Sequence, residues 1–338
     1  MTDETMPGPP TSDAPADPTP STAGIEDIRT LIQETLRPHL DGPIYALLDF
    51  PDHSNAGDCA IWLGEAQVLR TLTRRPPTWV ASFHSFDSRR LRMLPQAAPI
   101  FLHGGGNVGD LWPVHQLFRE QVLTEASDRR IVILTQSIQF RTASALERAR
   151  RAFGNHPHVT LLVRDADSLE FARSHFDCAS KLCPDFALAL DLRKPANAPS
   201  CDLFWLLRAD KESAGAALQS MRPGWLRADW PQLPLLGRAW LHRISILPAR
   251  VLPAIADSLA HVRMMRGLRL FCGARAVVTD RLHGHVLSTL LGIPNVLLPD
   301  AFGKNRGLYE TWTHHLPGCA FADTPAQALA ELENMGYA

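Results

Sequence analysis

The run VVTDRLHGHVLS at 277–288 brings an apolar stretch to an abrupt end in Asp280, Arg281 and His283. Imidazole exchanges protons near neutral pH, and a guanidinium offers two parallel donors to a planar anion, so this grouping sets a proton carrier beside an anion site. His283 is the first candidate for a catalytic acid or base. His285 stands two residues on, an offset that in a helix turns it about 200° away; it packs or caps. The same divergence argues against HGH as a metal pair, and no Cys or carboxylate set of metal spacing accompanies it, so no metal is expected. Lys304, Asn305 and Arg306 follow the next apolar run and can return to the same edge. Arg164 and Arg208 likewise follow apolar runs, TLLV and LFWLL.

Upstream, Gly104, Gly105 and Gly106 follow IFL, with His103 before them and Asn107 after. Without Cβ atoms this backbone can form an anion-binding concavity or make a tight turn into a helix beginning near Asp110, and both readings stand. The spacing is neither GxxxxGK nor GxGxxG, so no nucleotide cofactor is indicated. Asp58, in the stretch SNAGD, sits where a helix beginning at Cys59 wants an N-cap; Asn55 and Gly57 precede it. Asp167 with Glu170 has the spacing of a capping box, a structural role.

These residues need elements to hold them. Apolar runs at 44–48, 79–83, 100–102, 131–134 and 160–163 alternate with helical patterns at 60–71, 143–153 and 168–175, the rhythm of a doubly wound parallel sheet. The stretch LRKPANAPS at 192–200 interrupts it before a new strand at 202–207. Residues 277 and 278 close a further strand, 279–283 form its exit loop, 285–291 a helix and 295–298 another strand. That βαβ pattern places Asp280, Arg281 and His283 outside a strand's carboxyl end, where such folds bind ligands. The expected division is a disordered tail over 1–23, one domain over 24–195 and a second over 196–338. Residues 222–247, dense in Trp and Pro, show no period; they read as an irregular packed loop or an acceptor-side insertion.

The chain has 338 residues, 45% of them hydrophobic, enough for two cores, and a formal net charge of -1, which argues against a nucleic-acid partner. Its six cysteines show no CxxC pair and read as reduced, buried thiols. The first residues are rich in Pro, Thr, Asp and Ala and lack the basic and apolar regions of a secretory signal. The apolar stretch 286–299 is broken by Gly292, Pro294 and Asn295, too early for a membrane span. A cytoplasmic enzyme is expected; oligomeric state has no signature here.

Eight motifs, NAGDCAIWLGE at 55–65, HGGGNVGDLWP at 103–113, TQS at 135–137, RDADS at 164–168, CPDFAL at 183–188, LLRADKE at 206–212, DRLHGH at 280–285 and GKN at 303–305, occur in this order. Together they resemble the polysaccharide pyruvyl transferase family over residues 43–312. The resemblance implies two Rossmann-like domains in a GT-B-like arrangement with a cleft between them, and a final helix, 325–335, that crosses back to the first domain. It implies transfer of pyruvate from phosphoenolpyruvate to a sugar as a cyclic ketal, without a cofactor. The acceptor it suggests is a glycan or lipid-linked oligosaccharide, which would bring the enzyme to the inner face of the membrane.

Phosphoenolpyruvate carries a phosphate and a carboxylate on one small frame, so its site must supply cations and donors to both and an acid near the methylene carbon. Under this resemblance Arg164, Arg208, Arg281, Lys304 and Asn305, with Gly104, Gly105, Gly106, Asn107 and Asn55, bind substrates. His283 gives the proton, and Asp58 or His103 takes protons from the acceptor hydroxyls. A nucleotide-sugar glycosyltransferase and a non-catalytic phosphosugar-binding protein are the alternatives that the same architecture allows.

Overall fold

Runs of Val, Ile, Leu and Phe that read as continuous apolar stretches become strands covered on both faces, as parallel sheets require. The structure, a computed structural model, describes residues 24–194, 199–215, 222–232 and 251–337. Its first sheet holds β1 (Ala46–Leu48), β2 (Trp79–Ala81), β3 (Ile100–Leu102), β4 (Gly105–Gly109), β5 (Ile131–Gln139), β6 (Val159–Val163) and β7 (Ala179–Leu182). The order is β2-β1-β3-β5-β6-β7, with β4 also on β5, and the pairings are parallel. A second parallel sheet runs β12 (Cys319–Phe321), β11 (Asn295–Leu297), β10 (Ala274–Thr279), β8 (Cys201–Leu206), β9 (Trp225–Ala228). This mixed α/β architecture with two parallel sheets fits Rossmann-like domains.

Each sheet reverses its direction of winding once, between β1 and β3 in the first and between β8 and β10 in the second. Loops leaving those strands diverge to opposite faces and open a crevice at the carboxyl edge. The residues that could do chemistry lie on those loops.

The helices are α1 (Ile25–Leu36), α2 (Ala56–Thr73), α3 (Pro113–Glu125), α4 (Ala143–Gly154), α5 (Ala166–His175), α6 (Leu252–Phe271), α7 (Leu282–Leu290), α8 (Lys304–Leu308) and α9 (Pro325–Asn334). Side chains alternate across the second sheet with the period of two that a strand imposes. Phe204 and Leu206 face the large core, whereas Leu203, Trp205 and Leu207 face a smaller one. The large core is continuous across both sheets, because α2 packs directly on α6. Gly267 permits this approach: a Cβ there would stand 2.5 Å from the Ala56 Cβ and 3.0 Å from the Trp230 ring. The Trp62 indole, fully buried, donates to Asp257 at 3.0 Å, and Arg263 donates to the Pro51 carbonyl at 2.7 Å. Each large apolar side chain buried in this junction contributes about 1.5–3 kcal/mol, so α2 and α6 hold the two sheets in register with one another.

Several local expectations need correction. Helix α2 begins at Ala56, four residues earlier than its apolar period implied, and Asn55 is its N-cap, accepting from the Gly57 amide at 2.9 Å. Asp58 therefore lies in the first turn and is free of capping duty. Helix α7 begins at Leu282, so His283 is a first-turn residue and not part of an exit loop. Gly105–Gly109 is a short strand on β5, and the following helix starts only at Pro113; the glycines neither cap a helix nor make a strand-to-helix turn. Asp165, not Asp167, caps α5, accepting from the Ser168 amide at 2.8 Å. Within the segment that showed no period, Trp225–Ala228 forms edge strand β9, while 233–247 lies outside the described residues, as does the tail 1–23. The final helix α9 stays on the second sheet, where Ala328 and Leu332 join Trp205 and Val296 in the smaller core, and does not cross back.

Candidate active site

A cavity of about 370 Å³ opens at the carboxyl edges of both sheets, over the two reversal points. The first sheet supplies the loop from β1 into α2, Gly106 and Asn107 after β3, and Arg164 after β6. The second supplies the loops after β8, β10 and β11, which carry Arg208, Arg281 with His283, and Lys304 with Asn305.

His283 is held from two sides. Its Nε2 lies 3.3 Å from Asp185 Oδ2, which also accepts from Arg164 Nη1 at 2.7 Å. The other oxygen of Asp185 accepts from the Ala187 amide at 2.9 Å. Burial alone would raise the pKa of this fully enclosed carboxylate, but His283, Arg164 and the Ala187 amide outweigh that cost and hold it well below the usual range. The other side is Gly57, where a Cβ would stand 2.6 Å from His283 Nδ1. Only a residue without a side chain lets the imidazole lie across the start of α2.

Asp58 faces the cavity beside this imidazole. Asn55 Nδ2 donates to its Oδ2 at 2.8 Å, and His53 Nε2 lies 3.5 Å from the same oxygen. Burial raises its pKa, yet the surrounding His53, His283, His103 and His115 lower it further, so the net shift is downward and Asp58 enters the site ionised. His115 lines the same wall, its Nδ1 donating to both oxygens of Asp49 at 3.0 and 3.1 Å. Burial would lower the His115 pKa; Asp49 reverses this and raises it. Asp49 itself has φ of 67°, a left-handed conformation uncommon for a side-chain-bearing residue, directly after β1.

His103 is not on the cavity wall. It is buried behind Asp58, with Nδ1 2.7 Å from Glu65 Oε2, and Glu65 Oε1 accepts from the Gly104 amide at 2.7 Å. Its Nε2 is enclosed without a hydrogen-bond partner among the described residues. Of the three glycines only Gly106 lines the cavity. A Cβ on it would stand 2.9 Å from an Arg164 nitrogen and 3.2 Å from Lys304 Nζ, and its carbonyl accepts from Lys304 at 2.9 Å. Gly104 instead packs on the Thr135 backbone, where a Cβ would meet the carbonyl oxygen at 2.7 Å. Asn107 reaches the wall, its side-chain oxygen accepting from Arg119 at 2.7 Å. Asn305 acts as a staple, donating from Nδ2 to the carbonyls of Asp280 and Leu298, both at 2.8 Å. Asp280, behind the wall, accepts from the Arg208 amide at 2.8 Å; burial raises its pKa to about 6 against the pull of that bond and of Arg208 and Arg281.

The cations come with carboxylates. Arg281 engages Asp229 through Nε at 2.8 Å and Nη2 at 2.7 Å, and Asp210 through Nη1 at 2.9 Å. Arg208 pairs with Asp210 at 2.8 Å and Glu212 at 2.8 Å, and Lys304 stands 3.6 Å from Glu212. Glu212 also accepts from the Trp112 indole at 2.7 Å, and the Lys211 ammonium lies 3.9 Å above that ring, so the loop after β8 clasps the first sheet's side of the cavity. Among the described residues no group of three or more His, Cys, Asp or Glu side chains is arranged to hold a metal ion, and no helix is long and apolar enough to cross a membrane.

A sequence model of polysaccharide pyruvyl transferases matches residues 55–300. The chain belongs to the polysaccharide pyruvyl transferase family. It is an enzyme, a pyruvyl transferase. It is 30% identical over 322 residues to "Pyruvyl transferase 1" of Schizosaccharomyces pombe, covering 86% of this chain and 77% of that one. It is 32% identical over 285 residues to a Bacillus subtilis protein named "Putative pyruvyl transferase EpsO", covering 81% and 86%. A crystal structure of a functionally uncharacterised Klebsiella pneumoniae protein shares the fold, with a TM-score of 0.58 at 18% identity over 88% of this chain and 99% of that one.

The transferase therefore gathers Asn55, Asp58, Gly106, Asn107, Arg164, Arg208, Arg281, His283, Lys304 and Asn305 around one cavity and leaves His103, Gly104 and Gly105 off its wall. Sequence reasoning missed Asp185, His53, His115 and the carboxylates Asp210, Glu212 and Asp229. Asp185 sits inside CPDFAL and the Asp210 and Glu212 pair inside LLRADKE, so the motifs held the signal. His53 and His115 flank motif residues in a polar loop and a polar helix, with nothing in their spacing to single them out.

Proposed function

We propose that this pyruvyl transferase takes its pyruvyl group from phosphoenolpyruvate and delivers it to two hydroxyls of one sugar as a cyclic ketal. The acceptor proposed is a glycan of an exopolysaccharide or its lipid-linked precursor, used at the cytoplasmic face of the membrane. The observation that carries this reading is one cavity holding four cations together with His283 and an ionised Asp58. A small trianion needs the former; carbon protonation and hydroxyl deprotonation need the latter.

In the proposed sequence His283 protonates the methylene carbon, the π electrons of the enol phosphate's double bond form the new C–H bond, and C2 becomes electrophilic. Asp58 takes a proton from the first hydroxyl as its oxygen attacks C2. The second hydroxyl then displaces phosphate and closes the ring, its proton leaving with the phosphate, and the proton held by Asp58 restores His283. Arg164, Arg208, Arg281 and Lys304 hold the carboxylate and the departing phosphate, exchanging Asp210 and Glu212 for the ligand's oxygens. Asp58 fits the base role better than His103, whose Nδ1 is committed to Glu65 behind the wall. No cofactor enters this scheme. The two sheets are proposed to be the two domains of a GT-B-like arrangement, 24–195 and 196–338, with the cavity in the cleft between them.

Incubating the protein with phosphoenolpyruvate and a pyruvate-free oligosaccharide tests the reading. Phosphate release should match, mole for mole, an acceptor mass gain of one pyruvate less one water. Phosphate release without a modified acceptor, or consumption of nucleotide sugar instead, would sink it.

A further inference from the structure

Among the described residues, Asp185 is the carboxylate of the site that touches both the anion-binding and the proton-handling side chains. It follows β7, on the first sheet, and is fully buried; His283 opens α7, 98 residues away and on the second sheet. The same oxygen, Oδ2, takes Arg164 Nη1 at 2.7 Å and His283 Nε2 at 3.3 Å. The two partners depend on it unequally. Arg164 has a second anchor, its Nε donating to Ser137 Oγ at 2.9 Å, and Ser137 is fixed in turn by Asp165 at 2.6 Å. His283 has no other hydrogen-bond partner among the described residues: its opposite face lies on Gly57, and its Nδ1 is nearest the point where a Cβ there would be.

We propose that Asp185 is a positioning residue that holds the proton of neutral His283 on Nε2 and thereby makes Nδ1, on the Gly57 side beside Asp58, the nitrogen that exchanges protons with substrate. An ionised carboxylate only accepts, so the nitrogen facing it must carry hydrogen. That Asp185 is held strongly in its ionised form is consistent with this. A neutral imidazole has one N–H, and fixing it on Nε2 leaves the Nδ1 lone pair open. When Nδ1 takes a proton, the cation is stabilised by the same carboxylate. On transfer, the Nδ1–H bond breaks, the C–H bond at the methylene carbon forms, and the ring returns to the neutral Nε2–H form without changing its contacts. Gly57 is part of this device, since any side chain there would cover the nitrogen that Asp185 leaves free.

This inference rests on the proposed role of His283, and the experiment separates the two. Imidazole 15N shifts of histidine-labelled wild-type protein, with His283→Gln removing one resonance pair to assign it, report the tautomer directly. The expected result is Nε2–H; a neutral His283 carrying its proton on Nδ1 overturns the inference, and this arm needs no change at Asp185. In the second arm, Asp185→Asn should lower kcat by roughly 10²–10⁴-fold, as when a catalytic imidazole loses the carboxylate that fixes its tautomer. The KM for phosphoenolpyruvate should move less than about tenfold, because Ser137 still anchors Arg164. A loss confined to KM would make Asp185 a partner of Arg164 alone and overturn the inference, as would near-wild-type kcat in a folded variant. If His283→Gln itself keeps full turnover, the underlying reading of His283 falls first, whatever Asp185→Asn does.

Discussion

Replacing Gly57 by alanine adds one carbon and two hydrogens, yet it should damage this enzyme more than removal of many larger groups. The new Cβ would stand 2.6 Å from His283 Nδ1 and 2.8 Å from its Cβ and Cγ. Attractive carbon contacts begin near 3.5 Å, so the ring must retreat by about 1 Å. It cannot do so by rotating alone, because its own Cβ is among the clashing atoms. Helix α7 would have to move as a body, and Gly284, on its first turn, already packs within 2.6 Å of the Thr279 hydroxyl by the same measure. Overpacking of this kind costs about 1–3 kcal/mol. A catalytic group displaced by about 1 Å loses on the order of 10²-fold in rate. The expected outcome for Gly57→Ala is therefore a lower melting temperature and a kcat for phosphoenolpyruvate-dependent phosphate release reduced about a hundredfold. Gly42, at which a Cβ would meet nothing within 4 Å, serves as the control: Gly42→Ala should leave both unchanged. If Gly57→Ala melts and turns over like the wild type, the packing of His283 on α2 is not what orients it.

Arg281→Ala should weaken phosphoenolpyruvate binding, measured by calorimetry, by roughly ten- to a hundredfold, the equivalent of one charge-assisted hydrogen bond of about 1.5–3 kcal/mol. Arg281→Lys should recover little of it, because an ammonium cannot satisfy both oxygens of Asp229 and still face a ligand; full recovery would make Arg281 a mere source of charge. Asp58→Asn should lower kcat by about 10²–10⁴-fold and leave donor affinity within a few-fold, and unchanged turnover would remove Asp58 from proton transfer. His285 is fully buried between Asn295 and Thr313, and burial lowers its pKa to about 4. The unfolded chain protonates this imidazole near 6.5, so stability is complete above that pH and falls as pH drops from about 6.5 to about 4, by about 3 kcal/mol in total. His285→Gln, which keeps two polar atoms in place, should remove that part of the slope in denaturant titrations run across the same window; an unaltered slope would assign it to other groups.

The alternating rhythm and most strand positions were legible because parallel strands buried on both faces read as apolar runs. Ile100–Leu102 is such a case, matched end to end. Helix starts were less legible. The apolar period begins only where a helix meets the core, whereas α2 and α7 begin a few residues earlier, beside polar residues that face the cavity, Asn55, Asp58 and Arg281 among them. Glycines were ambiguous for a related reason. Gly104, Gly105 and Gly106 are adjacent, yet one avoids the Thr135 backbone, one adopts φ of 134° and one makes room for Arg164 and Lys304. What decides each is a neighbour distant in the chain. Asp185 and His115 were hidden the same way, since their significance lies in partners 98 and 66 residues off.

Charge balance explains why carboxylates belong in a site proposed for an anion. Arg164, Arg208, Arg281 and Lys304 are all largely enclosed, and enclosing cations without counter-charge costs several kcal/mol for each. Asp185, Asp210, Glu212 and Asp229 answer that cost while the cavity is empty, and they fix the cations in place before any ligand arrives. Two of these carboxylates are doubly used: Asp210 by Arg208 and Arg281, Glu212 by Arg208 and Lys304. A ligand with one negative charge would have to displace such a partner and return no more than it removed. A ligand bearing a phosphate and a carboxylate on adjacent atoms can take over several donors at once, releasing Asp210 and Glu212 toward the outer loop while Asp185 and Asp229 keep their hold. The paired carboxylates thus raise the charge a ligand needs in order to bind, which, on the proposed function, favours a donor that bears both groups over a singly charged pyruvate.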